Sequence, residues 1–370
     1  MTNHHPRSIW GNDILPVEIV LHPSWWFHHE SITFDEDFFY HPKKRVESER
    51  AMERALYERW GNFGLGLDRD KDVPLIGPVH LASGFPIADM LGCEIVYQGN
   101  SSPHVVALNS ETLKIDPQQA FQSSGFKFQS SGFKKMQKLI DALKTSYGYV
   151  TGDLNWSGVL NTALDVRGQQ AFLDIFENPE DFHRFLSAIA AVLEKFFTGV
   201  FNETGTTSIT ANRTVRHIPS PVCLHSCCTY TMISTDDYEN FFSSYDHAWS
   251  RKYRPYGIHF CGADPHRYAE NFARIPHLDF LDVGWGGDVE ILRQHLPNTF
   301  LNIRLSPVEL IAWNQQEIRE AIRTRVEASG NPWLTGVCCI NIDHQAPDEN
   351  ITAIFETVEE LRREYAVQNR

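Results

Sequence analysis

The chain has 370 residues, of which 42% are hydrophobic and 22% are charged, a composition that is ordinary for a globular protein with a large core. Its formal net charge is −14 at pH 7 and no stripe of lysine and arginine interrupts this acidity, which argues against nucleic acid as a partner. No apolar run approaches the roughly 18 residues that span a bilayer. The N-terminal residues also lack the apolar core of a signal peptide, so we expect a cytoplasmic protein without membrane contact.

The seven cysteines favour thiols over disulfides. Their number is odd, and two pairs, Cys227-Cys228 and Cys338-Cys339, are neighbours in the chain. In a chain without a secretion signal, this pattern fits reduced thiols or metal ligands better than a disulfide framework.

The first third of the chain is irregular and rich in aromatic residues, as in Trp25-Trp26-Phe27 and Phe38-Phe39-Tyr40. One amphipathic helix is clear there, from about Glu47 to Trp60, and the glycine that follows ends it. We predict that residues 1–115 form an extension that packs on the rest of the chain. Residues 116–370 are expected to form one structural unit.

A short duplication lies near the boundary between these two parts. The segment FQSSGFK at residues 121–127 is repeated at once at residues 128–134. A single tandem copy of this length is too short for a repeat architecture, which needs several longer units. We interpret it as a local duplication in a surface connection.

From about residue 136, short β-rich runs alternate with helices. The predicted strands are 208–211, 222–225, 256–261, 278–283, 300–305 and 333–338. The main predicted helices are 136–147, 234–253, 265–272, 289–295, 315–328 and 349–366. Strands that recur with a helix between them indicate right-handed βαβ units and a parallel sheet. Because no glycine-rich dinucleotide fingerprint is present, the fold class is α/β and a (β/α)8 TIM barrel with an aromatic-rich N-terminal extension is favoured over a doubly wound sheet.

Functional side chains of such barrels lie at the carboxyl ends of the strands, and this rule selects the candidates. In chain order, the residues at or just after predicted strand ends are His225, Cys227, Cys228, His259, Cys261, Asp282, Trp285, Asn302, Arg304, Cys338 and Cys339. Asp282 and Asn302 are expected to line a pocket. Asp153, Asn155 and Asn161 are further polar candidates from the preceding loop and helix.

The pair His259 and Cys261 has the spacing of metal ligands. Side chains two residues apart in a strand point to the same face, and Cys338 from a later strand could complete the set. One imidazole and two thiolates suit zinc and leave a fourth position open, whereas they disfavour magnesium and calcium. The alternative is that these thiols pack as small apolar groups, as we expect for Cys339.

A second His-x-Cys, His225 and Cys227, leaves three interpretations open. The two residues are a rival ligand pair, they contact the substrate, or they pack in the core. The sequence does not decide between these interpretations.

Several motifs resemble the uroporphyrinogen decarboxylase superfamily. They are Gly257-Ile-His-Phe-Cys-Gly262, Asp279-Phe-Leu-Asp-Val-Gly-Trp285, Cys338–Asn341 with Ala346–Ile351, and Gly158–Gly168 with Asn178-Pro179. The likeness covers roughly residues 75–365. Within that superfamily the pattern is similar to the methylcobalamin:coenzyme M methyltransferases, which bind zinc through His-x-Cys and a later Cys. His259, Cys261 and Cys338 fall on those three positions.

This resemblance implies a zinc-dependent transfer of a methyl group between a corrinoid and a thiol or other small acceptor. We assign metal binding to His259, Cys261 and Cys338, substrate orientation to His225, Asp282 and Asn302, and cofactor binding to Asp153, Asn155 and Trp285. The expected cofactors are Zn²⁺ and a corrinoid, either free or carried on a partner protein. A homodimer is compatible with this reading.

Two alternatives belong to other functional classes. The first is a metal-free decarboxylase of a tetrapyrrole-like or polyacidic substrate, which would need clustered arginines. The sequence offers Arg213, Arg216 and Arg304 but no match to the arginine-rich N-terminal motif of true uroporphyrinogen decarboxylases. The second is a non-catalytic protein that binds a corrinoid or a small thiol, since a ligand set does not by itself prove turnover.

Overall fold

The computed structural model describes residues 14–76, 85–108, 129–152, 156–205 and 222–368. Several sequence predictions lie outside these residues. They are the strand at 208–211, the first copy of the duplicated segment, Asp153, Asn155, Arg213 and Arg216.

The centre of the fold is a parallel sheet of six strands that curls as half of a barrel. The strands are β1 Val17–Leu21, β6 Cys223–Ser226, β7 Tyr256–His259, β8 Phe280–Val283, β9 Phe300–Leu305 and β10 Thr335–Ile342. They follow the order β1-β10-β9-β8-β7-β6, and every neighbouring pair is parallel. The prediction of a mixed α/β fold with parallel strands is confirmed, whereas closure into an eight-stranded barrel stays a prediction.

Among the described residues, four short strands stand outside this sheet. β2 (Leu75–Ile76) and β5 (Thr151–Gly152) form a parallel pair, and β3 (Glu94–Val96) and β4 (His104–Val106) form an antiparallel pair.

Helices connect and cover the strands. They are α1 Pro23–Glu30, α2 Glu36–Tyr40, α3 Pro42–Trp60, α4 Phe85–Met90, α5 Ser131–Tyr147, α6 Val159–Arg167, α7 Gln170–Glu177, α8 Pro179–Thr204, α9 Thr235–Phe241, α10 Ser243–Lys252, α11 Ala269–Ala273, α12 Val289–His295, α13 Pro307–Ala312, α14 Gln315–Ala328 and α15 Asp348–Gln368. The single helix predicted at 234–253 is wrong in one respect, because the chain breaks at Phe242 and forms α9 and α10. Ser234 caps α9 in a capping box with Asp237.

The first strand of the sheet comes from the aromatic N-terminal segment. β1 pairs with β10, the last strand in the chain, with Glu18 opposite Cys338. The N-terminal segment therefore supplies part of the sheet. The predicted boundary near residue 115 stays a prediction.

The last strand is longer than the sequence suggested. It was predicted at 333–338, with Cys338 and Cys339 at its end, but it runs from Thr335 to Ile342. The physical reason is that pairing with β1 continues as far as Ile342, and a sequence window around β10 does not contain that partner. Cys338 and Cys339 therefore lie within the strand.

The inward side of the sheet changes from apolar to polar along the strands. Leu224, Phe280, Phe300 and Leu334 form an apolar cluster with Val222. Two residues further along β8 and β9, on the same face, stand Asp282 and Asn302. Both are buried. The polar residues thus lie closer to the carboxyl ends of the strands than the apolar cluster does.

In the part of the chain that the structure describes, one helix, α8, is long and apolar enough to cross a bilayer by length and composition alone. Its apolar face is packed inside the protein, where Phe182, Ile189, Leu193 and Phe197 are fully buried. This burial is that of a core helix.

Gly158 sets the approach of α6 to the end of β6. A β-carbon at this position would lie 1.8 Å from the carbonyl oxygen of Ser226, a contact that no side chain can make. We expect Gly158→Ala to lower the free energy of unfolding by about 3 kcal/mol or more, because backbone must move to accept the methyl group. Urea denaturation followed by circular dichroism measures this change.

The matched control is Gly99→Ala. There the nearest atom to an added β-carbon is the Thr33 methyl carbon at 3.8 Å, and the backbone is not left-handed. We expect this variant to stay within about 0.5 kcal/mol of the wild type. Equal stability of the two alanine variants would contradict the packing argument.

Candidate functional site

Three potential metal ligands meet at the ends of two neighbouring strands. The donor atoms of Cys228, His259 and Cys261 all lie within 4.8 Å of one another. His259 is the last residue of β7, Cys261 lies just after it, and Cys228 begins the 3₁₀ turn after β6. Donors around a tetrahedral zinc lie roughly 3.5 Å apart, given bond lengths of about 2.0–2.3 Å. The three side chains therefore fit one zinc ion after small adjustments.

The orientation of His259 is fixed by Asp282. The Nδ1 atom of His259 lies 2.6 Å from Oδ2 of Asp282, and both residues are buried. A carboxylate can only accept, so Nδ1 carries the proton and donates it. This leaves Nε2 as the nitrogen that can bind a metal, an arrangement common in metal sites where a carboxylate orients the ligating histidine.

Asp282 is held in turn by an amide bridge. The Nδ2 group of Asn302 donates to Oδ1 of Asp282 at 2.7 Å and to Oε2 of Glu18 at 2.8 Å. Both hydrogens of the amide are thus used, one for each carboxylate. The sequence predicted that Asp282 and Asn302 orient the substrate. The structure shows them orienting His259, and a direct contact with substrate stays a prediction.

The surroundings of Cys261 favour its thiolate form. The pKa of Cys261 is held well below its usual range, chiefly because the Cys228 thiol donates a hydrogen bond to it and because His259 and Arg304 add positive charge. Burial lowers the pKa of His259, as does Arg304. The hydrogen bonds to Asp282 and Cys261 and the charge of Asp282 outweigh these effects and raise it overall. A thiolate beside a histidine is the donor chemistry that zinc prefers.

Arg304 places a buried positive charge next to this group. Its guanidinium lies 3.9 Å from the Asp282 carboxylate, and its charge also acts on Cys228, Cys261 and Cys338. Its Nε atom has no hydrogen-bond partner among the described residues. Nη2 of Arg304 is 3.3 Å from Nδ1 of His259, but this is no hydrogen bond because both atoms are protonated.

Cys338 stands apart from the group of three. It is fully buried in the middle of β10 and packs with Val20 and Ile340. Burial raises the pKa of its thiol well above the usual range, with the charge of Asp282 adding to the effect. Its role as a metal ligand stays a prediction. Cys339 points the other way into the apolar core, as predicted.

His225 lies in a separate buried network. Its Nδ1 atom donates to Oδ1 of Asp246 at 2.6 Å, and its Nε2 atom accepts from the backbone N–H of Val159 at 3.1 Å. Tyr238 and Tyr256 also donate to Asp246, at 2.8 and 2.5 Å. Both ring nitrogens are therefore occupied, which gives His225 a structural role in joining β6, α6 and α10. The predicted contact of His225 with substrate finds no free ring nitrogen in this structure.

The remaining predicted residues are peripheral. Trp285 follows β8 and is 42% exposed, so its indole is accessible to a large ligand, and its contact with a cofactor stays a prediction. Asn161 holds the turn that carries Cys228, through its Oδ1 atom, which accepts hydrogen bonds from the backbone and the hydroxyl of Thr229.

Two site residues were not assigned from the sequence. Glu18 lies in a segment read as an extension, and its strand pairs with β10 far along the chain. Cys228 was named as a residue after a strand, but the His-x-Cys spacing directed attention to Cys227. Because β6 ends at Ser226, the alternation of a strand no longer applies beyond it, and Cys228 reaches the group instead.

Comparison with solved structures extends over nearly the whole chain. A methyltransferase from Methanosarcina mazei superposes with a TM-score of 0.66 at 14% identity, covering 95% of this chain and 95% of that one. The chain therefore shares its fold with this methyltransferase. A B12-independent methionine synthase from a Shewanella species has a TM-score of 0.50 at 9% identity, covering 94% of this chain and 98% of that one. The resemblance in fold predicted from the sequence is thereby confirmed.

The sequence was also compared with family models and with curated proteins. No family model matches the chain, and no curated protein matches it. The likeness therefore concerns the fold alone.

The hydrogen bond to Asp282 should set the affinity of the metal group. We expect Asp282→Asn to weaken zinc binding by roughly 10–100-fold, because the amide carries no charge and fixes the proton on Nδ1 of His259 less firmly. Competition with a chromophoric chelator measures the affinity.

Asp288→Asn is the matched control for this charge removal. Asp288 caps α12 through the N–H of Ile291, and asparagine is an equally good cap. This variant should bind zinc like the wild type. An Asp282→Asn protein with unchanged affinity would rule out the orienting role.

Proposed function

We propose that this protein is a zinc-dependent methyltransferase that moves a methyl group between a corrinoid and a thiol or another small acceptor. The observation that carries the proposal is the group Cys228, His259 and Cys261, with Asp282 orienting the histidine. The group lies at the carboxyl ends of parallel strands, where barrel-type folds carry out their chemistry.

Each residue of the site has a proposed role. His259 and Cys261 would hold the zinc, with Cys338 as the third ligand that the sequence resemblance implies. When bound, zinc lowers the pKa of a thiol and presents it as a thiolate nucleophile. Asp282 keeps the proton on Nδ1 of His259, and Asn302 keeps Asp282 in place.

The fold comparison supports methyl transfer as the reaction class. Both solved structures bear names of methyl-transferring proteins. One of the two is named as B12-independent, so the corrinoid in our proposal rests on the resemblance of the sequence motifs to the methylcobalamin-dependent branch. The exposed Trp285, together with Asp153 and Asn155, is proposed as the contact with that corrinoid, free or on a carrier protein.

A decarboxylase of a polyacidic substrate is less well supported. Such a reaction needs several arginines around one cavity, and Arg304 is the arginine whose charge acts on the ligand group within the part of the chain that the structure describes. A thiolate next to a histidine has no evident role in that reaction.

Zinc content tests the metal centre directly. Wild-type protein purified without chelator should contain about one zinc per chain, and Cys261→Ala should lose it, because a ligand thiolate is removed. Elemental analysis gives the ratio.

Cys93→Ala is the control for the loss of a thiol. Cys93 is also buried, but its sulfur contacts the backbone oxygen of Asp165. This variant should keep its zinc. Folded wild-type protein that lacks zinc but transfers methyl groups would overturn the proposal.

Turnover tests the reaction class. Zinc-loaded protein mixed with methylcobalamin and a small thiol should release demethylated cobalamin, which is followed by its absorption, and methylated thiol, which is followed by mass spectrometry. Cys261→Ala should show only the rate of the protein-free mixture. Tight binding of methylcobalamin without any transfer would instead identify a binding protein.

A further inference from the structure

We propose that Cys228, rather than Cys338, is the third protein ligand of the metal, so that the end of β6 contributes to the centre together with the end of β7. This inference rests on the proposed function, since it concerns the same zinc site. Neither the sequence motif nor the fold comparison assigns Cys228.

The first support is the position of its sulfur. The sulfur of Cys228, the sulfur of Cys261 and one ring nitrogen of His259 lie within 4.8 Å of one another. Cys228 and Cys261 are half-buried and His259 is buried. Cys338 is not part of this group, so on geometry alone Cys228 has the stronger case to bind beside His259 and Cys261.

The second support is that the chain is fixed on both sides of Cys228. The backbone N–H of Cys227 donates to the carbonyl oxygen of His259 at 2.7 Å, which joins the start of the turn to the end of β7. The backbone N–H and the hydroxyl of Thr229 both donate to Oδ1 of Asn161, at 3.2 and 2.6 Å. The residue between these two anchors therefore has a defined direction.

The third support is the packing of the two loops that carry the sulfurs. The Thr231 hydroxyl donates to Oδ1 of Asp264 at 3.0 Å, across the two loops. A β-carbon at Gly262 would lie 2.7 Å from that of Thr231, so only glycine permits this approach. The turn at 228–232 and the loop at 261–264 are thus held against each other with Cys228 and Cys261 on adjacent segments.

The described residues contain a second group of potential metal ligands, but it is a weaker candidate for the zinc. His225, Cys227 and Asp246 also have donor atoms within 4.8 Å of one another. There, however, Asp246 accepts from two tyrosines and from His225, whose other nitrogen accepts from a backbone N–H. Its donors are already satisfied and fully buried, as in a structural network.

The experiment measures the number of sulfur ligands of the zinc, and it does not depend on turnover. Zinc-loaded wild type, Cys228→Ala and Cys228→Ser are compared by X-ray absorption at the zinc edge, which reports the number of sulfur neighbours. Cys227→Ala is the matched control, because it removes the adjacent thiol, which belongs to the other group. Circular dichroism and gel filtration establish that each variant is folded.

We expect both Cys228 variants to have one sulfur fewer than the wild type, and the Cys227 variant to match the wild type. Substitution with cobalt(II) gives a second measure, because the thiolate-to-cobalt absorption should fall in the Cys228 variants. Serine retains the volume of the side chain, so it keeps the test valid if alanine prevents folding. Loss of zinc from folded Cys228 variants, with zinc kept in Cys227→Ala, also supports the proposal.

Two other outcomes have distinct meanings. If zinc is present in every variant and the sulfur number does not change at Cys228, this inference is overturned and the proposed function stands. If the wild type binds no zinc, both fail together.

Discussion

The candidate centre depends on a buried chain of hydrogen bonds that begins on the first strand and ends at the metal group. Glu18 and Asp282 each accept one hydrogen from the amide of Asn302, and Asp282 accepts the Nδ1 proton of His259. Burial of two carboxylates is unfavourable unless they are paired and hydrogen-bonded. The chain satisfies that condition and, in doing so, gives the imidazole a single tautomer and direction.

The parallel sheet is what makes this arrangement possible. Neighbouring strands bring Asp282 opposite His259 on one side and opposite Asn302 on the other. Asp282 and Asn302 each lie two positions beyond a phenylalanine of the apolar cluster, and the strand register places His259 at the same level. Arg304 adds a positive charge to the same region, and its charge on the nearby sulfurs favours their ionised form.

The parts of the site that follow from local sequence were predictable, and the parts that depend on distant pairing were not. The positions of His259, Asp282 and Asn302 follow from the rule on carboxyl ends. The strand predicted at 256–261 was too long, because β7 ends at His259 and Cys261 lies just beyond it. Glu18 was missed because its strand is short, lies in an aromatic segment and pairs with the far end of the chain. Cys228 was not assigned as a ligand because β6 ends at Ser226, one residue before Cys227, so the spacing rule for strands did not apply there.

The fold itself was predictable to a similar extent. Alternating strands and helices from residue 222 onward predicted the parallel sheet correctly, since each βαβ unit is specified by adjacent segments. The lengthening of β10 and the break at Phe242 depend on tertiary contacts, which a window of sequence does not contain.

The pairing of β1 with β10 has a consequence for the order in which the protein acquires its site. Glu18 and Asn302 are separated by 284 positions in the chain. During synthesis the N-terminal strand leaves the ribosome long before its partner exists, and contacts of such long range form slowly. The carboxylate of Glu18 cannot accept from Asn302 until β9 has been made and β1 has paired with β10. The complete hydrogen-bonded support of the metal group is therefore a late product of folding, assembled only when the two ends of the chain have met.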